Sequence, residues 1–129
     1  MALILTVDDS TTMRQMVSFT LSTAGHQVEE AGNTDEALAL AGSKRFELVI
    51  ADVNMPGRNG IELVRELRQL ADYRFTPILM LTTESEGQLK AAGKAAGATG
   101  WIVKPFNPDV LLSVLQRVLP AAGREAADG

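Results

Sequence analysis

Short, almost unbroken apolar runs alternate along this chain with longer stretches in which apolar residues return every three or four positions. Leu3 to Val7, Leu48 to Ala51 and Ile78 to Leu81 read as central strands, because a strand covered on both faces shows no alternation. Gln27 to Glu30 ("QVEE") is mixed and reads as an edge strand, and Trp101 to Val103 completes a set of five. Strands alternating with helical periodicity predict an α/β domain of five βα units around a parallel sheet.

The intervening stretches carry helix punctuation. Met13, Met16, Val17, Thr20, Leu21 and Ala24 recur at helical spacing, with Ser10 placed as N-cap and Gly25 just past the end. Both methionines read as core fill. Asn33 followed by Glu36 resembles a capping box. Ile61, Val64, Leu67 and Ala71 share one face of a third helix. Asn107 and Pro108 open a last one, with Leu111, Leu112, Leu115, Val118 and Leu119 turned inward. Gly57 and Gly60 read as turn formers.

The fourth helical stretch, "ESEGQLKAAGKAAG", is the weak one. It contains Gly87, Gly93 and Gly97, and an interior glycine costs roughly 1 kcal/mol relative to alanine. Its inward face offers little beyond Leu89 and alanines, which predicts low local stability and a moving part. The stretch "AAGREAADG" has no periodicity, so the expectation is a folded unit over 1–120 and a disordered tail over 121–129.

Composition narrows the class. A chain of 129 residues fits one domain and can bury a real core. The absence of cysteine removes disulfides and thiolate metal sites. A formal net charge of −4 speaks against nucleic-acid binding by phosphate neutralisation. No apolar run is long enough to cross a bilayer, and the first one runs straight into Asp8 and Asp9, unlike a targeting peptide. The expectation is a cytoplasmic protein with no membrane insertion.

The chemistry gathers where strands end. In open parallel α/β sheets, ligands bind beyond the carboxyl ends of the strands, where strand order reverses. Asp8 and Asp9 follow the first strand, Asp52 the third, Thr82 and Thr83 the fourth, and Lys104 the fifth. If the first and third strands are neighbours, three carboxylates converge, and a cation is needed to hold them together cheaply. Oxygen donors suit Mg²⁺ better than Zn²⁺, and the only histidine, His26, falls at the other end of the sheet. Lys104 and Thr82 suit the oxygens of a phosphoryl group, with Asp52 as candidate nucleophile.

These residues resemble the receiver domain of two-component response regulators. The acid pair, "DVNMPGRNG", "LTTES" and "WIVKPF" occur in family order and spacing, and the resemblance extends to about Leu119. It implies a doubly wound, flavodoxin-like (βα)5 fold with strand order 2-1-3-4-5. It also implies that Asp52 is the phosphoacceptor, that Asp9 ligates Mg²⁺ directly and Asp8 through water, and that the Asn54 carbonyl is a further ligand. Lys104 matches the lysine that meets the phosphoryl group, and its peptide bond to Pro105 matches one that is cis in the family. Thr82 matches the switch hydroxyl and Trp101 the coupled aromatic, where the family usually has tyrosine or phenylalanine. Asn54 and Glu84 match the positions that tune hydrolysis.

"VDDSTTMRQMV" looks most like the chemotaxis regulators of the CheY type. That likeness implies a stand-alone, monomeric receiver, the chemotaxis kinase CheA as donor, and the flagellar motor switch as target. The target would meet the face made by the fourth helix, fifth strand and fifth helix. Such a protein is a binding module whose chemistry is limited to its own phosphorylation and dephosphorylation. The alternatives are a phosphorelay or cell-cycle receiver, a metal-dependent phosphohydrolase with an aspartate nucleophile, and a truncated DNA-binding regulator.

Overall fold

A computed structural model of the chain describes residues 2–53, 55, 57, 59–82, 87–104 and 106–119; for 87–90 only the backbone is described. Five strands, β1 (Leu3–Val7), β2 (Gln27–Ala31), β3 (Leu48–Asp52), β4 (Ile78–Thr82) and β5 (Gly100–Val103), pair in parallel in the order β2-β1-β3-β4-β5. Five helices connect and follow them: α1 (Thr11–Thr23), α2 (Thr34–Ser43), α3 (Gly60–Gln69), α4 (Gly87–Ala96) and α5 (Pro108–Val118). A 3₁₀ turn over Ala71–Tyr73 lies between α3 and β4.

The sheet is buried on both faces, which is why its central strands could be read as apolar runs. Leu5, Val7, Val49, Ala51, Ile78 and Met80 face one core with Ala37 and Ala41 of α2, Leu63, Val64 and Leu67 of α3, and Ala96 of α4. Ile4, Leu48, Ile50, Leu79, Leu81 and Ile102 face the other, with Val17 and Leu21 of α1 and Leu111 and Leu115 of α5. Thus α1 and α5 cover one face and α2, α3 and α4 the other, and strand order reverses between β1 and β3. The edge strand β2 is flanked by ion pairs, Glu29 with Lys44 and Glu30 with Arg14.

Local capping follows the sequence. Ser10 Oγ accepts from the Met13 N–H, Asn33 Oδ1 from Glu36, and Asn107 Oδ1 from Asp109. Asn59 caps α3 in the same way through Glu62. Three expectations need correction. Met16 is 47% exposed, because Val17, Thr20 and Leu21 define the inward stripe and Met16 lies at its margin; only Met13 packs partly against the core. Ala71 is not on α3, which ends at Gln69; Leu63 supplies the extra inward residue. Gly60 is the first residue of α3 and does not form a turn.

Tyr73, unnoticed in the sequence, is fully buried, its hydroxyl accepting from the Phe46 N–H and donating to the Lys44 carbonyl. Residues 120–129, and with them the expected tail, lie outside the described residues, as does the side chain of Leu89.

Candidate functional site

The first strand delivers its acids already constrained. The Asp8 N–H extends the ladder to the Ala31 carbonyl at 3.1 Å, and Asp8 Oδ1 accepts from the Ser10 N–H at 2.9 Å. The turn into α1 is thus built around a carboxylate that is only 1% exposed. Its other oxygen, Oδ2, is buried without a well-directed hydrogen bond and faces Lys104 Nζ at 3.2 Å. Asp9 is exposed.

Asp52 is the last residue of β3 and is buried. Register places it opposite Leu81, one step before Thr82, which is buried at the end of β4. The start of α3 presses directly on this point: a Cβ at Gly60 would fall 2.1 Å from the Asp52 carbonyl oxygen. No larger residue fits there unless the helix moves off the strand end. The Gly60 N–H donates to the Val53 carbonyl at 3.1 Å and completes the junction.

β1 and β3 are neighbours, so one carboxylate oxygen from each of Asp8, Asp9 and Asp52 comes within 4.8 Å of the others. Lys104 enters from β5. Its N–H donates to the Thr82 carbonyl at 2.8 Å, and its Nζ lies 3.1 Å from Asp52 Oδ1 as well as beside Asp8. Burial pulls the pKa of this ammonium down, but hydrogen bonding and charge from Asp52, then from Asp8, outweigh it and leave the pKa above the ordinary lysine value. One ammonium against three carboxylates leaves a formal excess of two negative charges.

That imbalance and the all-oxygen donor set fit a hard divalent cation. His26 is at the far end of the sheet, as expected, accepting from the Ala2 N–H at its Nδ1.

Trp101 is half-buried, opposite Met80 in register and two residues before Val103, the partner of Thr82. Trp101 and Thr82 therefore belong to the same sheet face. Asn54, Thr83, Glu84 and Pro105, including the peptide bond from Lys104, lie outside the described residues.

Two contributors escaped the sequence reading. Gly60 was one. Arg14 is the other: its Nη1 donates to the Asp8 carbonyl at 2.6 Å while its Nε pairs with Glu30 at 3.0 Å. The only hint was a basic residue on α1 facing the acids of "QVEE".

Comparison with known proteins converges on one family. The response regulator receiver domain matches residues 4–116. A chemotaxis protein CheY homolog of Campylobacter jejuni is 40% identical over 126 residues, covering 96% of this chain and 97% of its own. The phosphate regulon transcriptional regulatory protein PhoB of Pseudomonas aeruginosa is 38% identical over 120 residues, and the chain spans 52% of its length. Among solved structures, Vibrio cholerae chemotaxis protein CheY4 is 58% identical with a TM-score of 0.90, covering 92% of this chain and 99% of that one.

Proposed function

Because the chain belongs to the response regulator receiver domain family, we propose that it is a phosphorylation-operated switch of the CheY type, with Asp52 as phosphoacceptor. The observation that carries this reading is the bridging of the buried Asp8 and Asp52 by Lys104 within a three-carboxylate cluster that the exposed Asp9 completes. An Asp52 carboxylate oxygen attacks phosphorus, its new O–P bond forming as the P–N bond to a kinase phosphohistidine breaks, and the imidazole departs with the electron pair. Lys104 is already aimed at the carboxylate that receives the group, so its charge costs no reorganisation. Asp9 and Asp52 would hold Mg²⁺ directly, with Asp8 acting through water and the Asn54 carbonyl completing the protein ligands. When bound, the ion neutralises charge on the transferring oxygens.

Thr82 and Trp101, on one sheet face, carry the change outward to the face formed by α4, β5 and α5, where Val103 and Val110 are about half exposed. Asn54 and Glu84 flank the acceptor and the switch hydroxyl in sequence and set how fast water removes the group. The protein is then a monomeric binding module acting in the cytoplasm, its chemistry confined to its own side chain. No helix among the described residues is long and apolar enough to cross a membrane.

The likeness to chemotaxis proteins supports a CheA-type kinase as donor and the flagellar motor switch as target. The test is incubation with a small phosphodonor and Mg²⁺, reading incorporated phosphate. Labelling that persists in Asp52→Asn sinks the assignment. Affinity for a motor-switch peptide that fails to rise on labelling favours a phosphorelay role.

A further inference from the structure

Between β4 and β5 the chain spends three glycines on one helical stretch, and the structure gives two of them work. Of residues 91–96, only Gly93 and Ala96 are buried, so this part of α4 has almost no apolar side chain with which to grip the sheet. A Cβ at Gly93 would lie 2.2 Å from Cζ2 and 2.5 Å from Cη2 of Trp101, closer than such contacts occur. The edge of the indole therefore rests against the helix backbone itself. The indole at position 101 occupies the space that a side chain at position 93 would need.

The C-terminal end of α4 is held differently. Gly97 takes the left-handed φ of +112° that ends the helix, and its N–H and that of Ala98 return to the Lys94 and Gly93 carbonyls. Its carbonyl then accepts from Arg68 Nε at 3.0 Å and Nη2 at 2.8 Å. Arg68 Nη1 also donates to the Tyr73 and Thr76 carbonyls at 2.7 and 2.6 Å, so one guanidinium ties the end of α4 to α3 and to the lead-in of β4. A Cβ at Gly97 would fall 2.9 Å from Arg68 Cγ, which leaves no slack at this point.

We propose that α4 is a lever, hinged at Gly97 by Arg68 and propped at Gly93 by the indole of Trp101. Among the described side chains around α4, Arg68 holds its end at Gly97 and the indole meets its middle at Gly93, so the position of the indole and the tilt of the helix vary together. Withdrawal of the ring lets α4 settle toward the sheet, and a side chain at position 93 pushes the ring out. That α4 rests on this prop does not depend on phosphorylation. Its use as a signal rests on the function proposed above, since Trp101 shares its sheet face with Thr82.

The test reads the sign of one substitution in two backgrounds, using the full chain. Alanine for glycine inside a helix ordinarily stabilises, so in Trp101→Ala the change Gly93→Ala raises Tm by about 2–4 °C. With Trp101 present the same change lowers Tm by about 3–10 °C, as overpacking does, and increases acrylamide quenching of the sole tryptophan. The same sign in both backgrounds, or unchanged quenching, overturns the proposal. If Gly93→Ala alone does not fold, a folded, stabilised double variant supports it and an unfolded one overturns it. Labelling by a small phosphodonor with Mg²⁺ separates the two readings. Labelled protein without the sign reversal sinks the lever alone, and sign reversal without labelling sinks the phosphorylation reading alone.

Discussion

The carboxylates at the ends of β1 and β3 and the indole on β5 lie on one sheet, yet they are held in opposite ways. Asp8 and Asp52 sit at the ends of central strands covered on both faces. Ala31 and Arg14 fasten the Asp8 backbone and Ser10 its carboxylate, while the abutting start of α3 confines the Asp52 backbone. Trp101 is on an edge strand beneath a helix that meets it through a glycine. Chemistry that aligns an attacking oxygen tolerates little displacement. A device that reports the chemistry needs a part that can move at small cost. On the function proposed above, the first falls on firmly fastened strand ends and the second on an edge strand whose indole meets α4 at a glycine.

The largest expected effect strikes the constrained side. Asp52→Asn reduces phosphate incorporation from a small phosphodonor to background while leaving the fold intact, since the change is isosteric. Lys104→Met comes next, with labelling slowed about 10²- to 10³-fold, the magnitude for loss of one preorganised charge. Its effect on stability tests the cluster as well. Removal of the ammonium that bridges Asp8 and Asp52 lowers unfolding free energy by roughly 1–3 kcal/mol, and added Mg²⁺ restores more stability to this variant than to the parent. Equal Mg²⁺ shifts in urea titrations of the two would show that the acids do not share one cation.

Asp9→Asn should move in the opposite direction. With one repelling charge removed, the Mg²⁺-free protein gains up to about 1 kcal/mol, while the Tm increment produced by Mg²⁺ shrinks. On the Trp101 side, Arg68→Ala costs about 1–3 kcal/mol, because it strips charge-assisted hydrogen bonds from partly buried carbonyls. Hydrogen exchange at Gly97 to Thr99 should accelerate more than at Asp8, and uniform acceleration would erase the distinction between the two regions.

The smallest effect is at His26, far from both. Burial holds its pKa below 6.5, and its Nδ1 accepts from the Ala2 N–H, so the folded state favours the neutral ring. Below pH 6.5 the unfolded chain binds the proton more readily, and stability falls until the pH passes beneath the depressed folded value. His26→Gln should flatten that slope in a pH series of urea midpoints without touching phosphate labelling.

Most of the fold was legible because its signals are local. Strand spans, the Ser10, Asn33 and Asn107 caps and the inward residues of α5 depend on periodicity and hydrogen bonds within a few residues. The acids and Lys104 were legible for a related reason: polar residues at the ends of apolar strands stand out, and the topology implied by family resemblance brings them together. What failed was context that arrives from elsewhere in the chain. Met16 carries an apolar side chain at an acceptable helical spacing, but whether that margin is covered depends on which neighbour packs there. Gly60 looks like a loop residue until the end of β3 is set 2.1 Å from its missing Cβ.

By itself, then, the sequence determined the alternation of elements, their caps and the residue types available for cation and phosphoryl chemistry, since those follow from side-chain period and short-range bonding. Only the tertiary structure decided that Gly93 makes room for Trp101, that Gly97 makes room for Arg68, and that Tyr73 and Arg14 fasten distant backbone. These are steric and hydrogen-bond matches between segments that meet only after the sheet has assembled. A glycine read along the chain signals weakness, and the same glycine read across a packed interface is the space another side chain requires.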